Sequence, residues 1–191
     1  MVFSEQELAL VFNANFIYQK NKLLQNVSIL LGELAGTLQD KMLPLRLKFN
    51  AELLDKSGKI SRGEQYKGLP YLVLDAPFLI KGKEFLICRT LFWWGNYITF
   101  NILIKGSYFK SNTLDLMDKL KMNQGILFLK GTDLWDNDLS SSGYEEVNDS
   151  NISEIANQFN DFGFLRLSKK LGFEDLGLLE EKAIAFYQML I

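Results

Sequence analysis

The sequence predicts an α+β fold, and three observations carry that prediction. A capping box opens a long stretch of helical periodicity, three β-branched and aromatic runs with short glycine-containing turns fill the middle, and mixed helical and extended patterns follow. With 191 residues, 48% of them hydrophobic, and a formal net charge of −2, the chain has the size of one globular domain spanning 1–191. A chain of that length buries roughly 70% of its unfolded surface, so it needs no metal or disulfide to sustain a core.

The N-terminal helical region is read over 4–42. Ser4 and Glu7 form the box: the Ser hydroxyl accepts from the amide three residues on, and the Glu carboxylate reaches back to the cap amide. Leu8, Val11, Phe12, Phe16, Leu23, Leu24, Val27, Leu30, Leu31, Leu34 and Leu38 then mostly keep three-and-four spacing, the mark of one apolar stripe. Gly32 and Gly36 weaken the second half. The region is one helix, or two with a break near Asn21, and Pro44 is expected to end it, because the residue before a proline is pushed out of the α region. From 45 to 70 the pattern is irregular. Leu45, Leu47 and Phe49 alternate with Arg46 and Lys48 as a short strand would, 51–56 suits a helical turn, and Gly58, Gly63 and Gly68 punctuate a polar stretch before Pro70.

Strands near 71–76, 84–94 and 97–106 make an antiparallel β-meander, with a further strand at 125–131. Thr113 is placed as the cap of a helix running to 121, an acidic loop runs from Asp133 to Asn148, and Ser150 or Asn151 caps another helix. Leu176, Leu179, Ala183, Phe186 and Leu190 form the stripe of a C-terminal helix. The N-terminal and C-terminal helices are expected to pack on the meander.

Gly95 and Asn96 read as a two-residue type II′ turn. In that register Trp94 faces Tyr97, Phe92 faces Thr99 and Thr90 faces Asn101 on one side of the hairpin. Trp93, Leu91, Arg89 and Ile87 then share the other side with Ile98, Phe100, Ile102 and Ile104, and a three-residue turn would scramble these pairs. The first face mixes aromatic walls with a polar row, which makes Thr90, Phe92, Trp94, Tyr97, Thr99 and Asn101 candidate ligand-binding residues. Ordinary packing of a half-covered sheet face is the competing reading. The second face is apolar apart from Arg89. An unpaired buried guanidinium costs several kcal/mol, so Arg89 needs a carboxylate: Asp75 on the preceding strand first, Glu64 in reserve. A structural ion pair, an anion-binding arginine and an arginine that snorkels to the rim all fit.

Composition removes much chemistry. With no histidine, Ser-His-Asp and Cys-His nucleophiles and His-ligated zinc are excluded, and one cysteine, Cys88, makes neither an internal disulfide nor a thiolate cage. A calcium loop begun at Asp136 would place Ser141 where glycine is required and Val147 where a bidentate Glu belongs. GxxxxGK[ST], GxGxxG and GxSxG are absent. No catalytic residue, metal ligand or cofactor is therefore assigned. Twenty-one basic against 23 acidic residues give no nucleic-acid footprint, and no apolar run approaches the ~18 residues of a membrane span. The first residues lack the basic start of a signal peptide, so the cytoplasm is expected, and the Lys- and Asn-rich usage suits a bacterial source. The expectation is a non-catalytic cytoplasmic domain that binds a partner protein or small ligand through the aromatic and polar hairpin face, with homo-oligomerisation open. The alternative is a Mg- or Mn-dependent hydrolase or nuclease built on Glu64, Asp75, Glu84 and a lysine such as Lys67 or Lys83.

Overall fold

Ser4 caps the first helix as its sequence requires: its hydroxyl accepts from the Glu7 amide at 3.3 Å, and the Glu7 carboxylate accepts from the Ser4 amide at 2.7 Å. The computed structural model describes residues 3–48, 54–55 and 58–191. Helix α1 (Glu5–Phe12) is followed by α2 (Ala14–Lys41), and the break falls at Asn13 rather than near Asn21. Asn13 leaves the helical region (φ −90°, ψ 67°) and its side chain accepts from the Phe16 amide, which makes it the cap of α2. Pro44 does not end the helical region. It sits in the first turn of a short helix α3 (Leu43–Lys48), where its missing N–H is not needed. That helix, with Leu45 wholly buried, replaces the short strand expected at 45–49; Phe49 and most of 51–56 lie outside the described residues.

Among the described residues the sheet is antiparallel with eight strands: β1 (Leu54–Asp55), β2 (Lys59–Tyr66), β3 (Leu69–Lys81), β4 (Glu84–Trp93), β5 (Tyr97–Lys105), β6 (Ile126–Leu129), β7 (Tyr144–Glu146) and β8 (Phe164–Leu171). Its order is β1–β3–β4–β5–β8–β6–β7, and β2 joins β1 on the outer edge of β3. The α+β reading with an antiparallel sheet holds. Four strands, β1, β2, β7 and β8, go beyond it, β7 falling inside the acidic stretch expected to be a loop over 133–148. β2 pairs along the edge with mostly exposed polar side chains, so it shows no apolar alternation, and β8 supplies the link between β5 and β6. β3 also runs past Ala76 through a register shift between Asp75 and Phe78, which leaves only Gly82 and Lys83 to turn into β4.

Helix α4 (Ser107–Lys121) starts six residues before Thr113, and α5 (Ile152–Phe162) and α6 (Leu179–Tyr187) follow, α6 with a 3-10 turn at each end. Helices α2 to α6 cover one sheet face. Leu86, Cys88 and Phe92 of β4, Ile98, Phe100, Ile102 and Ile104 of β5, and Leu165 and Leu167 of β8 join one apolar cluster with α2 and α6. From α2 that cluster takes Leu24, Val27, Leu31, Leu34 and Leu38, each buried leucine contributing roughly 1.5–3 kcal/mol. The opposite face carries two smaller clusters, around Leu91 and Trp93 and around Ile87 and Leu103, to which the loop between β6 and β7 adds Leu139 and Leu134. Among the described residues no helix is long and apolar enough to cross a membrane.

Candidate functional site

The β4–β5 turn holds three residues, not two. The Trp94 amide donates to the Pro70 carbonyl of β3 at 3.0 Å instead of to β5, the Asn96 amide returns to the Trp93 carbonyl at 3.1 Å, and Gly95 takes φ +76°. Pairing therefore starts at Trp93 with Tyr97. Since side chains alternate with period two, that single residue regroups the hairpin faces. Thr90 now neighbours Phe100 and Phe92 neighbours Ile98 on the helix-covered side, whereas Tyr97, Thr99 and Asn101 share the other side with Arg89, Leu91 and Trp93. Trp94 stays in the turn, half-buried.

The six candidate ligand residues thus form no common surface, and the polar ones are sealed. Thr90 is 1% exposed, and Thr99 and Asn101 are 0% exposed. Thr90 shares a 2.8 Å hydrogen bond with the Tyr187 hydroxyl, and Phe92 packs on Phe173 with ring centres 5.3 Å apart. Burial pushes the Tyr187 hydroxyl and the Cys88 thiol well above their usual pKa values. A thiol in that state is inert packing.

On the other face, Asp75, Arg89, Asn101 and Ser168 are cross-strand neighbours in one row over β3, β4, β5 and β8. Arg89 Nε and Nη2 donate to the two Asp75 oxygens at 2.7 and 2.9 Å, a bidentate pair, and the Trp135 ring lies 4.9 Å from the guanidinium carbon. Glu64 is elsewhere: it stands on the exposed edge and pairs with Lys20. Asn101 is the hub of the row. Its Oδ1 accepts from Arg166 and from Ser168, each at 2.8 Å, while its Nδ2 donates to Thr99 Oγ1 at 2.9 Å and to the Arg89 carbonyl at 3.1 Å, so all four of its bonds are made.

Arg166, 0% exposed, makes no ion pair among the described residues. It donates instead to the Leu134 carbonyl and to Asn137 Oδ1, both at 2.9 Å, and burial lowers its pKa below that of a free guanidinium. These bonds fasten the 130–143 loop onto the sheet. Tyr66 donates to Asp136 and accepts from the Asn137 amide, both at 3.0 Å, Tyr97 accepts from the Leu139 amide at 2.9 Å, and Lys67 pairs with Asp138. Burial pushes Tyr66 and Tyr97 up to about 12, and the Lys67 and Ser140 contacts pull Asp138 down to about 2. Asp133, Asp136 and Asp138 each accept from an amide two residues on, at 2.9 to 3.0 Å, so the acidic residues of this loop hold its own turns. Sequence reasoning missed Arg166 and Ser168 because β8 was unassigned; the signal was the alternation in FLRLSKKL, whose leucines face the helices.

The carboxylates of the metal-dependent alternative are not gathered. Glu64 pairs with Lys20, Asp75 with Arg89, and Glu84 accepts from Ser107 at 2.7 Å. Among the described residues no group of three or more Asp, Glu or Cys side chains is placed to hold a metal ion.

What the molecule does present is its N-terminal arm. Every residue from Phe3 to Gln19 is exposed, with Val11 at 71%, Phe12 at 82% and Tyr18 at 71%. α2 reaches the sheet at the Lys20–Glu64 pair and buries side chains only from Leu24 onward. Beside that point a groove of about 730 Å³ lies between α2 and β2, with Asn21, Leu24 and Ser28 on the helix side and Ile60, Arg62 and Leu72 on the sheet side. Comparison of the chain with family models, with curated proteins and with solved structures gives no match.

Proposed function

We propose that this chain is a non-catalytic interaction domain whose binding surface is the N-terminal arm, α1 with residues 14–23 of α2, and whose partner is a protein. One observation carries this reading: Phe3, Leu10, Val11, Phe12 and Tyr18 are 61–82% exposed in a segment, 3–23, from which no side chain is buried in the core. A concentration of exposed large apolar side chains marks an interaction site, and a helix laid into a partner's groove is a recurrent mode of protein recognition. Charge favours a protein over a lipid surface. α1 carries Glu5 and Glu7 and no Lys or Arg, and residues 14–23 add only Lys20, already paired with Glu64, and Lys22, far short of the basic cluster that anionic headgroups attract.

The closed polar row supports the non-catalytic part, since its donors and acceptors are already matched to one another and to the loop above. The cytoplasm remains our reading of the compartment, supported by a lone, buried cysteine that plays no part in a disulfide framework. The test is the double variant Val11→Ser/Phe12→Ser. Because both side chains are exposed, we expect its unfolding free energy to stay within about 0.5 kcal/mol of the parent. Complexes formed by the purified chain, measured by size-exclusion chromatography with light scattering, should be lost; complexes of unchanged mass would overturn the arm as the binding surface.

A further inference from the structure

We infer that the arm binds a second copy of this chain, with α1 of each copy seated in the α2–β2 groove of the other; this rests on the arm being the interaction surface. Three observations lead there. The first is reach. α1 is about 12 Å long at 1.5 Å per residue, and the groove runs from about 12 to 22 Å beyond Asn13 along α2, so α1 folded back on its own chain would stop where the groove begins. A second copy approaching antiparallel meets no such limit, and an isologous two-fold contact fills both grooves at once.

The second is charge. α1 is acidic through Glu5 and Glu7, while of the two charged residues that line the groove Glu64 is already paired with Lys20 and Arg62, which is exposed, makes no ion pair among the described residues. The third is area. Taking about 150–250 Å² for a whole aromatic side chain, the exposed apolar groups of α1 with Phe3 amount to roughly 600 Å² per chain, and with the groove that each chain offers in return they approach the about 800 Å² per partner of a standard stable interface. The groove floor is apolar where it would meet them, through Leu24, Ile60 and Leu72.

Sedimentation equilibrium from about 1 to 100 μM tests this on the whole chain, with thermal melts confirming that each variant folds. We expect a dimer that Val11→Ser/Phe12→Ser converts to monomer. Arg62→Glu should raise the dimer dissociation constant about tenfold, and adding Glu5→Lys/Glu7→Lys to the same chain should restore it, because the swapped charges meet again across the two-fold. A mixture of Leu8→Cys and Ser28→Cys chains should give mixed disulfide dimers in excess of either homodimer, Cys88 being buried and silent. A monomer throughout the range overturns self-pairing and leaves the arm to a different protein. A dimer indifferent to the Val11/Phe12 substitutions overturns both self-pairing through the arm and the arm itself as binding surface. A dimer lost in that variant but blind to the charge swap, and without mixed disulfides, overturns the groove as the seat of α1.

Discussion

Arg89 and Arg166 bring the same charge beneath the same loop and are satisfied differently. Arg89 spends two donors on one carboxylate, whereas Arg166 spreads its own over Asn101, Asn137, the Leu134 carbonyl and, at 3.4 Å, Ser168. The Arg89–Asp75 pair is enclosed enough for its loss to be felt, at 15% and 10% side-chain exposure. Breaking one side of a buried pair strands the other charge, so Arg89→Leu is expected to destabilise by about 3–5 kcal/mol in urea unfolding. Asp75→Leu with Arg89→Leu should lose clearly less than the two single losses together, because the partner left uncompensated in each single variant is gone. Strictly additive losses would contradict an energetic pair and leave only the geometric one.

At the scale of elements, the loop between β6 and β7 is held by groups that titrate far from neutrality. Asp138 has a folded pKa of about 2 against an ordinary 3.8, so its contribution is complete above the ordinary value and fades as pH falls from about 4 toward 2. Tyr66 and Tyr97 have folded values of about 12 against 10.0; their contribution is complete below pH 10 and fades as pH rises through 12. The loop should therefore stay closed between about pH 4 and 10 and loosen beyond each limit. Trp135, stacked on Arg89, is the reporter. Its fluorescence should change on the acid limb with a midpoint below 4, and Asp138→Asn should abolish that limb, since the Lys67 pairing is then gone at every pH. An acid limb unaltered by Asp138→Asn would detach loop closure from this carboxylate.

Across the whole molecule, stability and surface are divided along one run of helical periodicity, α1 with the start of α2 outside the core and the rest of α2 within it. Leu31, 0% exposed in the main cluster, and Phe12, 82% exposed on α1, look alike in a list of apolar periodic positions. Leu31→Ala should cost about 2–5 kcal/mol, the usual range for emptying a packed leucine site, while Phe12→Ser stays within about 0.5 kcal/mol. Denaturant unfolding measured on both variants checks the contrast. Equal losses would mean that the arm belongs to the folded core.

Short-range chemistry was readable from residues alone. The Ser4–Glu7 box needs only four consecutive residues, the β-rich runs from 71 to 106 follow from their own propensities, and the proximity of Asp75 to Arg89 follows from one hairpin connection between neighbouring strands. What local pattern cannot carry was decided by tertiary contacts. The Pro70 carbonyl captured the Trp94 amide, lengthened the turn by one residue and thereby regrouped Thr90 and Phe92 away from Tyr97, Thr99 and Asn101. β8 became a central strand because β5 and β6 left its ladder open and its leucines matched the helix side, although its Arg, Ser and Lys residues obscured it in the sequence. Whether an apolar stripe is core or surface was settled by where α2 meets the sheet, near Lys20, since periodicity records only which side chains share a face and burial depends on what stands opposite.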